Sequence, residues 1–169
     1  TADVRKRLAR HIFETVICRP LFSLEEMTPF HGDPHAGNIF AIPEASKEYV
    51  GVGLIDWTLA AYLPRKMRES VVDLIIAITT ADHSAIVKPL EALQVGKMKD
   101  INSIISDILE EMGSGSPDTD DPMKRSFRLL EKLTMAGLVF PPELILFRKS
   151  FFTLEGVLLD LSESFSPGK

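Results

Sequence analysis

The 169 residues include 45% hydrophobic and 25% charged side chains, which is typical of an ordered chain that buries a continuous core. The net charge of -5 and the sequence pI of about 5.4 argue against the broad basic face that nucleic-acid binding requires. We therefore expect one soluble globular domain over residues 1–169 with no nucleic-acid partner, and only the cluster RKMR at 65–68 is locally basic.

The chain also lacks the usual signals of secretion or membrane insertion. Cys18 is the single cysteine, so it cannot form an intrachain disulfide or build a thiolate metal site alone. The longest apolar window, residues 71–78, is too short to span a bilayer and contains Asp73. Residues 3–10 are charged, which argues against a signal peptide, and the absence of an initiator Met suggests a processed or excised fragment. We expect no transmembrane segment and no secretion.

The first element is predicted to be a helix over residues 1–19. Apolar side chains recur there at helical spacing, and Pro20 ends the pattern. Residues 21–30 show no clear period, so they are predicted to be irregular.

A small β-hairpin is predicted next. Two short apolar segments, 39–42 and 50–55, read as strands, and the polar segment 43–49 joins them. Asp56 is therefore expected at the end of a strand, just beyond the hairpin.

After Pro64 the pattern is helical throughout, so residues 64–163 are predicted to form a helical bundle. The apolar stripe of its last helix is predicted to be core, and the Gly/Ser/Pro/Asp segment 113–122 is predicted to be a mobile loop. The fold class is thus mainly α with a small β-hairpin. The predicted helices cover residues 65–81, 83–94, 100–112, 123–136 and 141–163.

The segment HGDPHAGNIF at 31–40, followed by LIDW at 54–57, has the residue types that phosphoryl transfer needs. That reaction requires a carboxylate that orients the attacking hydroxyl or water, and oxygen ligands for magnesium. Asp33 and Asn38, five residues apart, match the spacing of the kinase catalytic loop, and Asp56 takes the place of the second metal-binding aspartate. Three such groups in this order predict a phosphate and metal site within residues 30–57.

The other polar residues of the loop are predicted to support it. Gly32 and Gly37 permit tight turns, and a proline between them restricts the backbone. His31 is predicted to pack and hydrogen-bond beneath the loop, and His35 either supports the loop or approaches a phosphate.

An alternative interpretation takes His31, Asp33 and His35 as a zinc-type site on one face of a strand. Gly32 and Pro34 disfavour such a strand.

The pattern HGDPHAGN with LIDW resembles the C-terminal lobe of the protein-kinase-like superfamily. Two branches compete: the aminoglycoside phosphotransferase and choline kinase group, and the UbiB/ADCK family of atypical kinase-like proteins. The segment PPELILFRKSFFTLEGVLLDLSESFSP at 141–167 resembles the end of the UbiB/ADCK proteins and favours that branch.

The resemblance implies roles for individual residues. It makes Asp33 the catalytic or water-orienting aspartate, and Asn38 and Asp56 the ligands of Mg²⁺, or of Mn²⁺ in its place. His35, Gly37 and Asn38 become loop positions on the nucleotide side, with ATP as the cofactor.

The sequence departs from the family at two places. Ala36 stands where the family usually has proline, and TrpThr follows the metal-binding aspartate where the family usually has PheGly.

The resemblance also implies an N-terminal lobe with a nucleotide loop and a strand lysine, and neither is recognisable here. Gly51 and Gly53 are predicted to be hairpin residues, and Lys88 precedes a proline in a helical context. We therefore expect a C-terminal lobe with the N-terminal lobe absent, inactive by itself.

The implied parent protein binds Mg-ATP and supports ubiquinone or other prenyl-lipid metabolism. It would act on a small-molecule, lipid or quinone-like ligand at a membrane surface, in the cytoplasm or on the matrix side of a mitochondrion or plastid. The short space after Asp56 favours such ligands, or ATP hydrolysis, over protein substrates. The alternatives are a small-molecule phosphotransferase and an inactive kinase-like interaction module.

Overall fold

The computed structural model describes residues 2–43, 50–96, 101–113 and 121–162. The described residues form two compact units, one within Thr1–Arg65 and Glu143–Pro167 and the other within Lys66–Pro142. In the described ranges, no helix combines the length and the apolar character needed to cross a bilayer.

The elements confirm a mainly α fold with a small β-hairpin. The strands are β1 (Met27–His31), β2 (Ile39–Pro43), β3 (Val50–Leu54) and β4 (Ala60–Pro64). The helices are α1 (Ala2–Phe13), α2 (Arg19–Leu21), α3 (Arg65–Thr79), α4 (His83–Leu93), α5 (Ile101–Gly113), α6 (Pro122–Met135) and α7 (Pro142–Leu161).

The first helical segment runs past the predicted stop. A π-helical turn, Glu14–Cys18, joins α1 to α2, and helical structure ends only at Leu21. A proline inside a helix clashes with the carbonyl four residues earlier. The wider π turn directly before Pro20 relieves that clash, so the prediction that Pro20 ends the helix was wrong by one short turn.

The predicted hairpin is present, and a second strand pair accompanies it. Strands β2 and β3 are antiparallel, with Ile39 opposite Leu54. Strands β1 and β4 are also antiparallel, with His31 opposite Ala60. The prediction of an irregular segment at 21–30 was therefore wrong for β1, which has no apolar alternation and contains a proline. The predicted loop 43–49 lies outside the described residues except for its first position.

Helix α7 supplies the core of the first unit. Its predicted apolar stripe is buried as expected, apart from the partly exposed Leu161. Phe147 meets Phe30 of β1 edge to face, with ring centroids 5.1 Å apart. Phe151 likewise meets Phe13 of α1 at 6.3 Å. The first contact holds β1, the strand that leads into the HGDPHAGN loop, against α7, and the second holds α1 against the same helix.

The second unit consists of α3 to α6. The helix bounds agree with the predicted ones to within two residues. Asp82 caps α4 by accepting a hydrogen bond from the amide of Ala85, and Asp121 caps α6. Most of the predicted loop 113–122, residues 114–120, lies outside the described residues.

Candidate functional site

The HGDPHAGN loop begins where β1 ends. The amide of Gly32 donates to the carbonyl of Leu59 at 2.8 Å, which ties the start of the loop to the segment before β4. A Cβ atom on Gly32 would lie 2.9 Å from that oxygen and 3.0 Å from the Leu146 side chain of α7. Glycine is therefore required here because the backbone of the loop approaches its neighbours closely.

His31 is the buried support of the loop, as the sequence predicted. Its side chain is 1% exposed. Nδ1 accepts from the amide of Asp33 at 3.1 Å, and Nε2 lies 2.9 Å from the carbonyl oxygen of Ile55. A nitrogen that accepts carries no proton, so His31 is the neutral tautomer whose Nε2–H donates to Ile55. The His31 ring thus connects the backbone of Ile55, the residue before Asp56, to the backbone of Asp33.

Asp33 presents a partly exposed carboxylate at the start of the loop. Its Oδ1 lies 3.6 Å from Nζ of Lys149, and its Oδ2 lies 4.0 Å from Nε2 of His35. Its backbone carbonyl accepts from the side-chain amide of Asn38 at 3.1 Å. The loop backbone is therefore fixed, while the carboxylate stays partly exposed beside Lys149 and His35.

Asn38 joins the loop to the hairpin. Its side chain is buried, and because Nδ2 donates to Asp33, Oδ1 is the atom available to a metal. The backbone carbonyl of Asn38 accepts from the amide of Ile55 at 3.1 Å. This bond continues the hairpin by one residue on each strand, beyond the pair of Ile39 and Leu54. This backbone bond brings Asn38 and the residue before Asp56 side by side.

Asp56 has an unusual backbone. Its φ is 56°, in the left-handed region that only glycine adopts freely and that aspartate tolerates better than most residues. Its Oδ1 accepts from the Thr58 hydroxyl at 2.7 Å and from the Thr58 amide at 3.4 Å. These two bonds, the hydroxyl bond first, hold the pKa of the Asp56 carboxyl below its ordinary value of 3.8. Asp56 is consequently ionised at neutral pH.

His35 and Gly37 form the turn between the two site residues of the loop. His35 caps the 3-10 turn Ala36–Asn38, because its Nδ1 accepts from the amide of Gly37 at 3.1 Å. A Cβ atom on Gly37 would lie 3.0 Å from the His35 ring. Both residues support the loop, and both are exposed to solvent. Their assignment as nucleotide-side positions stays a prediction.

The contacts of α7 with the loop were not predicted from the sequence. Lys149 faces Asp33, and the buried hydroxyl of Ser150 donates to the carbonyl of His31 at 2.7 Å. The stretch FRKSFF gives one signal, since it places a cation and a small polar residue in an otherwise apolar helix. Nothing in the sequence states which loop these residues face.

The donor set suits magnesium better than zinc. Asn38 and Asp56 offer hard oxygen atoms, and magnesium binds through one or two such protein groups together with phosphate oxygens and water. The zinc alternative requires His31, whose two ring nitrogens are both engaged by backbone groups. Over the described ranges, no cluster of three or more His, Cys, Asp and Glu side chains could hold a metal ion.

The fold and the motif together define a kinase-like C-terminal lobe. The model of the ABC1 atypical kinase-like domain matches residues 2–90, more than half of the 169 residues. The chain therefore belongs to the ABC1 atypical kinase-like family, which is consistent with the predicted UbiB/ADCK membership. No curated protein and no solved structure matches the chain.

Proposed function

We propose that this chain carries the catalytic and metal-binding half of a Mg-ATP-dependent atypical kinase or ATPase. The observation that carries the proposal is the pairing of Asn38 with Ile55. It brings Asn38 and Asp56 to one end of the hairpin, and His31 links the same place to Asp33. The carboxylate proposed to orient the nucleophile and the two proposed magnesium ligands thus belong to one loop and one strand end, which supports the proposal.

The hairpin offers a surface for the nucleotide base next to these groups. Phe40 pairs with Gly53 and Ile42 pairs with Gly51, so these four residues share one face of the hairpin. Phe40 is 49% exposed and Ile42 is 50% exposed. The Ile42 side chain lies across Gly53, where a Cβ atom would be 3.0 Å from it, so Phe40 and Ile42 form an apolar face against which a flat aromatic base can lie.

The proposed reaction transfers the γ-phosphoryl group. Asp33 orients a substrate hydroxyl or water and receives its proton. The oxygen of that group forms a bond to the γ-phosphorus as the bond from this phosphorus to the β,γ-bridging oxygen breaks, and ADP leaves with the electron pair. Asn38 Oδ1 and the Asp56 carboxylate would hold Mg²⁺, or Mn²⁺, which when bound neutralises charge on the phosphates. The products are ADP and a phosphorylated acceptor or inorganic phosphate.

The biological role we propose follows from family membership. The UbiB/ADCK resemblance supports action in ubiquinone or other prenyl-lipid metabolism, on a lipid or quinone-like ligand at a membrane surface. It also supports a second lobe as the partner that supplies the remaining nucleotide contacts.

The test of the site is isothermal titration of the protein with Mg²⁺ and a non-hydrolysable ATP analogue. Asp56→Asn should weaken Mg-nucleotide binding at least about tenfold, because it removes a charged ligand and asparagine still tolerates the positive φ. Asp73→Asn, at an exposed carboxylate of α3, is the matched control and should bind as wild type does. Equal binding by wild type and Asp56→Asn would refute the metal role of Asp56.

A steady-state assay separates the proposed activity from its alternatives. ATP hydrolysis stimulated by lipids or by quinone-like phenols, and lost in Asp33→Asn, is the expected result. Transfer to a hydroxyl of a small molecule would instead favour a phosphotransferase, with which the tryptophan after Asp56 agrees. Nucleotide binding without turnover in the presence of the second lobe would favour an interaction module.

A further inference from the structure

A lysine from the C-terminal helix α7 lies at the catalytic carboxylate. Nζ of Lys149 is 3.6 Å from Oδ1 of Asp33, and the Lys149 side chain is 56% exposed. This separation is longer than a good charge-assisted hydrogen bond. An exposed ion pair of this kind contributes little to stability. The pair is therefore easily exchanged for a stronger partner.

The position of Lys149 is fixed by its neighbours on α7. The next residue, Ser150, is fully buried and donates to the carbonyl of His31 at 2.7 Å. One turn earlier, the Leu146 side chain packs so closely on Gly32 that a Cβ atom there would lie 3.0 Å from it. The loop and the helix are thus joined on both sides of Lys149, so the backbone of Lys149 is fixed at a place from which its flexible side chain reaches Asp33.

Resting on the proposed function, we propose that Lys149 binds the γ-phosphate of the nucleotide. The γ-phosphoryl group must lie between the nucleophile at Asp33 and the metal at Asn38 and Asp56. Charge on its oxygens is stabilised by cations placed in advance. Lysine binds phosphate as a point charge at the end of a flexible stem. Without nucleotide the ammonium neutralises Asp33, and with nucleotide it turns to the phosphate.

The role predicts a selective effect on nucleotides that carry a γ-phosphate. In the full-length protein, Lys149→Met keeps the apolar stem and removes the charge. It should weaken binding of a Mg-bound non-hydrolysable ATP analogue about tenfold, the effect of one partly exposed charged contact. Binding of Mg-ADP should change less than about twofold. Lys149→Arg should retain most of the ATP-analogue affinity because it keeps the charge.

The control is Lys88→Met, at an exposed lysine of α4, which should bind both nucleotides as wild type does. Equal weakening of the ADP and ATP-analogue affinities by Lys149→Met would overturn the inference and assign Lys149 a structural role. Unchanged affinity for both nucleotides would overturn it as well. If wild type bound neither nucleotide, the proposed function itself would fail, which is a different result from either of these.

Discussion

His31 gives the sharpest test of how the loop is held together. In His31→Leu the ring nitrogens are lost, so the amide of Asp33 and the carbonyl of Ile55, both partly buried, lose their side-chain partner. An unsatisfied buried polar group costs about 1–3 kcal/mol. Loss of the edge-to-face contact with Trp57, whose ring centroid is 5.0 Å away, adds a smaller amount. We expect a loss of about 3 kcal/mol in the free energy of unfolding.

The assay is urea denaturation followed by two probes. Trp57 is the single tryptophan, so its fluorescence reports on the loop, and far-UV circular dichroism reports on the helices. With a slope of about 2 kcal/mol/M, the midpoint should fall by about 1.5 M urea. The control is His83→Leu at the exposed first residue of α4, which should change the unfolding free energy by less than about 0.5 kcal/mol.

Two results would refute this reasoning. One is a midpoint for His31→Leu that matches the His83→Leu control. The other concerns the tautomer: nitrogen-15 spectra of the wild-type ring should show a protonated Nε2 and an unprotonated Nδ1. The opposite tautomer would mean that the Asp33 amide does not bond to the ring.

Three further predictions concern the same unit. Ser150→Ala should lower the free energy of unfolding by about 1–2 kcal/mol, measured by thermal denaturation, because it removes a fully buried hydrogen bond to the loop backbone. Gly32→Ala should cost about 1–3 kcal/mol through overlap with backbone, whereas Gly156→Ala in α7 meets nothing within 4 Å and should stabilise by about 0.5–1 kcal/mol. Thr58→Ala should raise the pKa of Asp56 in a carbon-13 titration, because the hydroxyl bond that lowers it is gone. A folded-state pKa below the unfolded one stabilises the fold at pH values above the unfolded pKa, so wild type should lose this stabilisation as the pH falls below 3.8. The variant should have less of it to lose, because only the bond from the backbone amide at position 58 remains.

The parts of the fold that could be read from the sequence are those with a local pattern. The helices after Pro64 and the hairpin from Ile39 to Leu54 follow from apolar spacing and turn residues. Strands β1 and β4 were missed because their side chains do not alternate and their pairing joins distant segments. The π turn before Pro20 accommodates the steric clash of the proline ring, and the spacing of apolar residues does not predict it.

In the site, too, the local features could be predicted from the sequence and the contacts between distant segments could not. The residue types and spacing of the HGDPHAGN loop predicted the grouping of Asp33 and Asn38, because five residues of loop keep them close. The role of His31 beneath the loop was also predicted from the sequence, because a histidine at such a position more often supports a loop than takes part in the chemistry. Lys149 and Ser150 could not be assigned, since only packing of α7 against β1 brings them to the loop.

Substitutions at Asp56 can distinguish the effect of its backbone conformation on stability from the effect of its charge on binding. At φ 56°, glycine fits without strain, asparagine tolerates the conformation better than most residues, and alanine is strained. If Asp56 is a magnesium ligand, Asp56→Asn should fold about as stably as wild type, because its Oδ1 can still accept from Thr58. Asp56→Gly should fold more stably than Asp56→Ala, because both lack that acceptor and only glycine adopts the positive φ freely. All three variants should weaken Mg-nucleotide binding at least about tenfold. Stability would then depend on how well each residue adopts the positive φ, and binding would depend on the negative charge of the Asp56 carboxylate. Denaturation and nucleotide titration on the three variants measure both quantities. If binding instead survived in Asp56→Asn and Asp56→Gly, the carboxylate would serve only the turn, and the interaction-module alternative would gain ground.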